Sequence, residues 1–138
     1  MCGIFGYIGN KTDSANIVLN GLKSLEYRGY DSWGVAVVPE FENEVKLKKL
    51  IGKIGQAHVD ELEAGTIAFG HTRWATHGGV TDLNAHPHLD CTGKLAVIHN
   101  GIIENYKKIK KKMAKLGHTF VSETNSEVVV HLVKKKKK

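Results

Sequence analysis

The sequence has little cysteine and no long apolar segment, and each absence narrows the class of protein. The two cysteines, Cys2 and Cys91, can form one disulfide at most, and no basic region followed by an apolar one precedes them. We therefore expect a reduced, cytoplasmic setting rather than a secreted disulfide-bonded domain. No apolar run approaches the roughly 20 residues that a membrane-spanning helix needs, so the sequence predicts a soluble protein with no membrane partner.

A strong excess of one charge sign is also missing from most of the chain. It carries 20 basic and 14 acidic residues, a net charge of +6, but five of the basic residues are the lysines at 134–138. Without them 15 basic residues face 14 acidic ones, a net charge of +1. Surfaces that bind nucleic acid normally show basic residues clustered through the domain, so we expect no nucleic-acid partner. The lysine-rich stretch 107–112 is typical of a solvated helix face, since Ile109 and Met113 keep an apolar side.

What is present suits one globular domain. A chain of 138 residues that is 41% hydrophobic is near the commonest domain size. We expect one domain over residues 1–133 and a disordered basic tail over 134–138. Eight histidines raise the question of a metal, with His71, His86 and His88 near one another in sequence. The cysteines and acidic residues do not fall at zinc-site spacings, and we predict no metal ion and no cofactor.

The first half of the chain shows clear periodicity. A glycine-interrupted apolar run predicts a buried strand over residues 4–8. Asp13 or Ser14 can cap a helix that ends near residues 28–29. Three more strands are predicted, namely residues 33–38, a charged edge strand at 45–50 paired with it, and a short buried strand within 65–74.

The second half is less regular. Residues 75–90 hold glycines, prolines and polar turn formers without periodicity, which predicts a long loop of the kind that carries function. The elements predicted after it are a strand at 95–99, a basic amphipathic helix at 102–116, an extended segment at 118–121 and a helix that starts at 126. Strands in runs with helices between them predict a layered α+β fold.

Cys2 is the first residue that could carry chemistry. Methionine aminopeptidase removes Met1 when the second residue is small, and the thiol then belongs to the N-terminal residue. An α-amino group has a reference pKa of about 7.7–8.0, so part of it is free base at neutral pH and can serve as a general base beside the thiol. The alternative is a small buried hydrophobic residue, the usual fate of an isolated cysteine. Cys91 has no such neighbouring amine and is expected to be inert.

Two further segments present groups that suit an amino-acid amide. In residues 71–78 a buried strand leads into a loop with Arg73, whose planar guanidinium suits a carboxylate; an internal ion pair is the alternative. Asn100 and Gly101 follow a predicted strand and could form a hairpin turn. They could equally form an oxyanion hole, in which the Asn side chain and the Gly backbone donate to a carbonyl oxygen under attack. The residues alone leave both choices open.

Six longer motifs are together more specific than any one of them. They lie at residues 2–9, 25–32, 71–78, 84–87, 99–106 and 122–124, and read CGIFGYIG, LEYRGYDS, HTRWATHG, NAHP, HNGIIENY and SET. With these motifs in this order, the chain resembles the glutaminase domain of the class II glutamine amidotransferases, and among them that of the glutamine:fructose-6-phosphate aminotransferases. The resemblance extends from residue 2 to about residue 133.

The resemblance implies an N-terminal nucleophile (Ntn) hydrolase fold, an αββα sandwich of two sheets between helical layers. It implies a partial domain, incomplete at its C-terminal side, because the family's glutaminase domain is longer and is joined to an isomerase domain. The implied activity is that of a glutaminase, which releases ammonia from L-glutamine. In the family, that ammonia is transferred to fructose 6-phosphate on the isomerase domain, and a homo-oligomer is expected.

The resemblance also assigns roles to individual residues. Cys2 attacks the side-chain carbonyl of glutamine and forms a thioester, its own amine carries the proton, and Asn100 with Gly101 binds the oxyanion. Arg73 binds the substrate carboxylate, and Trp74 lies where ammonia leaves. The remaining predicted members of the substrate site are Thr76, His77, His86 and Asn125.

Two positions depart from the family's pattern. Trp33 stands where the family has a small residue, an increase in volume that a packed core resists. Asn125 stands where the family has an aspartate that receives the substrate ammonium, so the shape is kept and the charge is lost. Together with the short length, these departures leave an alternative function, a weak or inactive fragment that only binds glutamine or folds with a partner half.

Overall fold

Residues 1–76 and 78–136 are described by a computed structural model, in which helices and strands alternate irregularly along the chain. The strands are β1 Gly3–Ile8, β2 Ser32–Val38, β3 Lys46–Ile51, β4 Ile67–Arg73, β5 His88–Leu89 and β6 Ala96–Val97. The helices are α1 Ser14–Ser24, α2 Tyr106–Lys115 and α3 Glu127–Lys136, with a 3₁₀ turn at Glu26–Arg28. No helix in the described residues combines the length and the apolarity that crossing a bilayer would require.

The first sheet has the strand order β1-β4-β2-β3, with every neighbouring pair antiparallel. Helix α1 covers one of its faces and approaches it closely at Gly70, where a Cβ atom would lie 2.7 Å from Leu22 Cδ1 and 2.9 Å from Val18 Cγ1. Side chains alternate across a strand, so the residues of β2 that share this face are the apolar ones. The core between α1 and the sheet is therefore almost purely hydrophobic, and Trp33 is fully buried within it.

The second sheet is the two-stranded ribbon β5-β6, which lies beyond the opposite face of the first sheet. Helix α3 packs on the ribbon, and α2 packs on α3. The two sheets meet closely at Gly34 of β2, where any Cβ atom would overlap the carbonyl oxygen of His86. The layer order is thus helix, sheet, ribbon, helices, which confirms the expected mixed fold as a partial αββα sandwich.

The four strands and the helix predicted in the first half are confirmed, except that the helix ends at Ser24 rather than near residues 28–29 and is followed by the 3₁₀ turn. In the second half three boundaries are wrong. The predicted loop at 75–90 ends in β5, and the strand predicted at 95–99 is reduced to Ala96–Val97. The helix predicted from residue 102 begins only at Tyr106, because the backbone N–H of Ile103 is held by Asn125 Oδ1 at 3.3 Å in a non-helical turn. A long-range side-chain contact of this kind leaves no periodic signal in the sequence.

The basic tail is also different from its prediction. Residues 134–136 continue helix α3 rather than forming a disordered tail, and residues 137 and 138 lie outside the described residues. The three lysines stand in the last turn of the helix, where positive charge interacts favourably with the helix dipole. A domain boundary at residue 133 stays a prediction.

Candidate active site

Cys2 lies immediately before β1 and is fixed by the end of β4. The backbone N–H of Gly3 donates to Thr72 Oγ1 at 3.1 Å, and the N–H of Trp74 donates to Cys2 Sγ at 3.1 Å. A side chain at position 3 would collide with Thr72 and Leu25, so the glycine allows this close approach. The thiol is half-buried and accessible from the face of the sheet that α1 does not cover.

Arg73 lies on the same face, at the last position of β4. It is buried, and its guanidinium donates to the carbonyl oxygens of Gly79 at 2.9 Å and Gly78 at 3.3 Å. Burial lowers the pKa of Arg73 from its usual value, while the neighbouring Cys2 and Asp31 act in the opposite direction. These contacts hold the planar cation against the loop that follows β4.

Asn100 and Gly101 come against Cys2 rather than forming a hairpin between paired strands. The side-chain amide of Asn100 donates to the backbone carbonyl of Cys2 at 3.0 Å. Gly101 has a φ of +155°, and a Cβ atom there would lie 2.9 Å from the ring of His99. The backbone conformation therefore favours glycine at this position, and a larger residue would also have to displace the His99 ring.

His71 holds Asn100 in place, and the residue assignments made from the sequence did not include it. Its Nε2 lies 2.7 Å from Asn100 Oδ1. Burial lowers the pKa of His71 to about 4, although the hydrogen bond to Asn100 opposes the shift, so the ring is neutral at pH 7 and Nε2–H is the donor. Because His71 is two residues from Arg73 in β4, period-two alternation would have placed both side chains on one face.

His86 stacks on His71, with ring centroids 4.3 Å apart and planes inclined by 17°. Its Nδ1 accepts the backbone N–H of His99 at 3.3 Å, and burial holds the pKa of His86 far below its usual range. His99 Nδ1 lies 3.0 Å from Ser126 Oγ. His99 and Ser126 also line the cleft but were not predicted, since only the tertiary contacts bring them there.

The other predicted substrate residues lie around the same cleft. Asn125 is buried, and its Oδ1 accepts from the N–H of Ile103 at 3.3 Å and the hydroxyl of Ser126 at 3.4 Å. Trp74 and Thr76 stand at the rim, with the Trp74 ring packed edge-on against Tyr30 at 5.8 Å. His77 lies outside the described residues.

Cys2 separates two cavities. The smaller one, of about 40 Å³, is the polar cleft lined by Arg73, His86 and Asn125. A single water needs at least roughly 10–15 Å³ by such a measure, so this cleft admits a few waters in the conformation seen. The larger one, of about 520 Å³, is mostly apolar and includes Trp74 and Ile102 in its lining. Cys2 thus lines both cavities.

The chain is similar in sequence to proteins of known activity. A sequence profile of the glutamine amidotransferase domain matches residues 41–137. The chain is 52% identical over 136 residues to a glutamine–fructose-6-phosphate aminotransferase (isomerizing) of Pyrococcus horikoshii, covering 96% of this chain and 22% of that protein. The corresponding enzyme of Streptomyces coelicolor is 50% identical over 135 residues, with the same coverage. The chain therefore spans only about a fifth of the length of these curated relatives.

Solved structures give the same relationship at the level of the fold. The glutamine phosphoribosylpyrophosphate amidotransferase of B. subtilis, complexed with ADP and GMP, matches with a TM-score of 0.74 and 28% identity over 97% of this chain and 29% of its own. A structure described as the allosteric regulatory enzyme of purine biosynthesis matches with a TM-score of 0.79 and 29% identity, with the same coverage. These likenesses, and the profile match over most of its length, show that the chain belongs to the glutamine amidotransferase domain family.

Proposed function

We propose that the chain hydrolyses the side-chain amide of L-glutamine with Cys2 as the nucleophile. The observation that carries this proposal is the position of Asn100 and Gly101 directly against Cys2. One N–H of the Asn100 amide is used on the Cys2 carbonyl, and the second remains for a substrate oxygen. His71 fixes that amide from behind, so the donor is oriented before substrate arrives.

The reaction has two steps. Removal of Met1 frees the α-amino group of Cys2, which takes the thiol proton while Sγ attacks the amide carbon. Charge that develops on the carbonyl oxygen is stabilised by Asn100 and the Gly101 N–H. The proton passes to the leaving nitrogen, ammonia departs, and a γ-glutamyl thioester remains. Water, deprotonated by the same amine, then hydrolyses the thioester to glutamate and restores the thiol.

Substrate binding is assigned to the polar cleft. Arg73 binds the α-carboxylate of glutamine, and Asn125 accepts a hydrogen bond from its α-ammonium. Thr76, His77 and His86 complete or order the pocket. Because the cleft holds only about 40 Å³, glutamine enters when the Gly78 and Gly79 carbonyls move away from the guanidinium. Arg73 then exchanges backbone partners for a carboxylate.

Ammonia leaves on the other side of Cys2, through the larger apolar cavity beside Trp74. In the whole protein its acceptor is fructose 6-phosphate, bound by an isomerase domain beyond the region matched here. This assignment rests on the relatives, whose names give that reaction. A homo-oligomer and a cytoplasmic location stay predictions.

The decisive experiment is Cys2→Ala in the purified chain, after intact-mass analysis has confirmed that Met1 is absent. We expect glutamine hydrolysis to fall to background, while glutamine binding measured by calorimetry persists, since the carboxylate clamp does not need the thiol. Cys91→Ala is the matched control and should retain full turnover. Residual turnover in Cys2→Ala would remove Cys2 from the mechanism.

The same measurements address the alternative, a chain that binds glutamine without turning it over. The neutral Asn125 favours this alternative, because its side chain offers the substrate ammonium a hydrogen bond but no charge. Binding to the unsubstituted chain with no release of ammonia, even after Met1 removal, would support this alternative over hydrolysis.

A further inference from the structure

A second cluster of reactive side chains lies outside the active cleft and shares no residue with it. It consists of Cys91 after β5, His118 after α2 and His131 in α3. Cys91 Sγ lies 3.9 Å from His118 Nδ1, which lies 3.1 Å from His131 Nδ1. All three atoms are within 4.8 Å of one another. Sequence spacing gave no reason to expect this cluster, because its members come from three separate segments.

Two of the three separations are close to those around a tetrahedral metal ion. Zinc binds thiolate sulfur at about 2.3 Å and imidazole nitrogen at about 2.0–2.1 Å, so ligand atoms on one ion are roughly 3.3–3.6 Å apart. The separations of 3.1 and 3.9 Å lie on either side of that range, whereas the ligand atoms of Cys91 and His131 are up to 4.8 Å apart. A shift of about 1 Å, which the exposed Cys91 side chain can make, would bring the three atoms onto one ion.

An independent observation comes from the far side of the His131 ring. His131 is fully buried, and its Nε2 has no hydrogen-bond partner among the described residues. It lies 3.6 Å from Glu127 Oε1, one turn earlier in α3. If Nδ1 binds a metal, the proton must sit on Nε2, directed at this carboxylate. That is the carboxylate–histidine–metal arrangement that orients ligands in known metal sites.

The carboxylate of Glu127 is itself held in place by hydrogen bonds. The backbone N–H groups of Val121 and Ser122 donate to its carboxylate at 2.9 and 2.8 Å. The hydroxyl of Ser122 also donates to it. The carboxylate is thus fixed beside Nε2 of His131 by three donors.

The open side of the cluster already attracts a cation. Lys134 Nζ lies 3.1 Å from Cys91 Sγ and 3.2 Å from Asp90 Oδ2. Cys91 is exposed, so an ion can enter from solvent.

We propose that Cys91, His118 and His131 form a Zn²⁺ site, with its fourth position open to water. One thiolate with two imidazoles is a ligand set that suits zinc. The ion would displace the Lys134 ammonium and join the segments after β5 and after α2 to helix α3. Because binding gathers three segments that are separate in the unfolded chain, it would stabilise the second half of the molecule.

Cobalt(II) is the spectroscopic probe for this site, because a cobalt–thiolate bond absorbs in the near ultraviolet. We expect the purified chain to give this absorption, Zn²⁺ to abolish it by displacement, and Zn²⁺ to raise the melting temperature. Cys91→Ser should lose the absorption, and His118→Gln should weaken Zn²⁺ binding by at least about tenfold. Glu127→Gln, which keeps all three ligands, should weaken it by about 10- to 100-fold at unchanged stoichiometry.

Two matched variants control for the other thiol and for other histidines. Cys2→Ala removes the active-site thiol, and His58→Gln removes an exposed imidazole. Both should keep the cobalt–thiolate absorption and the affinity for Zn²⁺. Loss of the absorption in Cys2→Ala with its retention in Cys91→Ser would overturn the proposal, as would its absence from the unsubstituted chain. Circular dichroism of each variant separates lost binding from lost folding.

Discussion

The two halves of the molecule are stabilised by different kinds of contact. Before residue 74 the buried side chains are mainly hydrophobic and lie between α1, the first sheet and the segments that flank them: Ala15, Val18, Leu19, Leu22, Trp33, Val35, Ala36, Val37, Ile54, Val59 and Ala68. After residue 74 the buried apolar side chains are only Ala85, Met113, Val128 and Val130 among the described residues. The buried polar ones there include His86, His88, Ser122, Thr124, Asn125, Ser126, Glu127 and His131.

The two kinds of contact correspond to two roles, a rigid scaffold in the first half and polar groups for the candidate site in the second. The hydrophobic half is stabilised by the removal of apolar groups from water. This effect has no preferred direction and does not depend on exact geometry. The polar half needs each buried donor and acceptor to find a partner, since an unpaired one costs about 1–3 kcal/mol. The candidate active site lies where the halves meet, with Cys2, His71 and Arg73 contributed by the first and Asn100 and Asn125 by the second. A rigid sheet thus presents the nucleophile to a network that supplies the polar groups.

Acid should act mainly on the buried histidines of the polar half and of its contact with the first sheet, and we expect the largest effect there. Burial lowers the pKa of His71 to about 4 and that of His88 to about 3. Above pH 6.5 these rings are neutral in both folded and unfolded chains, so they add no pH dependence. Below it the unfolded chain takes up protons first, and each ring costs about 1.4 kcal/mol of stability per pH unit. The two together should lower the free energy of unfolding by about 4 kcal/mol at pH 5, and His86 should add to this.

Urea unfolding at pH 7, 6 and 5, followed by tryptophan fluorescence, measures this slope. Glu127, with a pKa of about 2, loses its own contribution only below about pH 4.5, so it does not interfere. His88→Gln should reduce the slope by removing one of the buried rings, whereas His58→Gln, at an exposed position, is the surface control. A stability that stays flat from pH 7 to 5 would contradict the idea that these histidines are held neutral.

Cavity formation tests the hydrophobic half. Leu22 is fully buried and packs against Gly70 of β4, so Leu22→Ala leaves a void that the sheet cannot fill. We expect a loss of about 3–5 kcal/mol in the free energy of unfolding by chemical denaturation. Leu116→Ala, at an exposed position at the end of α2, is the matched change in the polar half and should cost within about 0.5 kcal/mol. Equal losses in the two variants would mean that the buried Leu22 contributes no more to the free energy of unfolding than the exposed Leu116 does.

A larger side chain at the contact between the two halves tests how closely they must fit. Gly34→Ala places a methyl group against the carbonyl oxygen of His86, which cannot move without shifting the cleft. We expect a cost of about 1–3 kcal/mol in stability, together with reduced glutamine turnover. Gly6→Ala in β1 of the same sheet is the control, because its nearest contact would be an ordinary 3.8 Å to Ala68 O. Full turnover in Gly34→Ala would show that the position of His86 does not matter.

The hydrophobic half could be predicted because burying one face of a helix or strand makes apolar residues recur at a regular spacing in the sequence. Alternation in β2 and the i, i+4 spacing of Val18 and Leu22 in α1 follow directly from which side chains face the core. Trp33 is the exception, since its misfit was inferred from a small residue elsewhere in the family. In this chain it is buried in the core, and the sequence alone gave no sign of where its volume would go.

The polar half was predicted less accurately: the sequence indicates both of its helices, but hydrogen bonds between distant residues leave no period that would fix the boundaries. Nothing near Ile103 indicates that its N–H is taken by Asn125, so the start of α2 was placed too early. Likewise the contact of Asn100 with Cys2 spans most of the chain, and local pattern left a hairpin turn open as its alternative. The order of the motifs singled out these residues where the physical pattern could not.

The smallest expected effect concerns Asn125, where the polar half contributes a neutral group to the substrate site. Its Oδ1 already accepts from the Ile103 N–H and the Ser126 hydroxyl, and an aspartate oxygen can keep both bonds. Asn125→Asp therefore changes charge without changing shape. Hydrogen bonds to charged groups are worth about 1.5–3 kcal/mol against about 1 for neutral ones, so the substrate ammonium should gain about 1–2 kcal/mol.

That gain corresponds to a KM for glutamine lowered by roughly 5- to 30-fold. The ammonium lies away from the reacting amide, and its contact is the same in the ground and transition states, so kcat should change little. Steady-state kinetics of both forms on glutamine, and on an analogue that lacks the α-amino group, isolate the contact. The gain should be confined to glutamine, because only it carries the ammonium. If the aspartate form improves equally on both substrates, or on neither, Asn125 does not face the ammonium and its assignment to the substrate site fails.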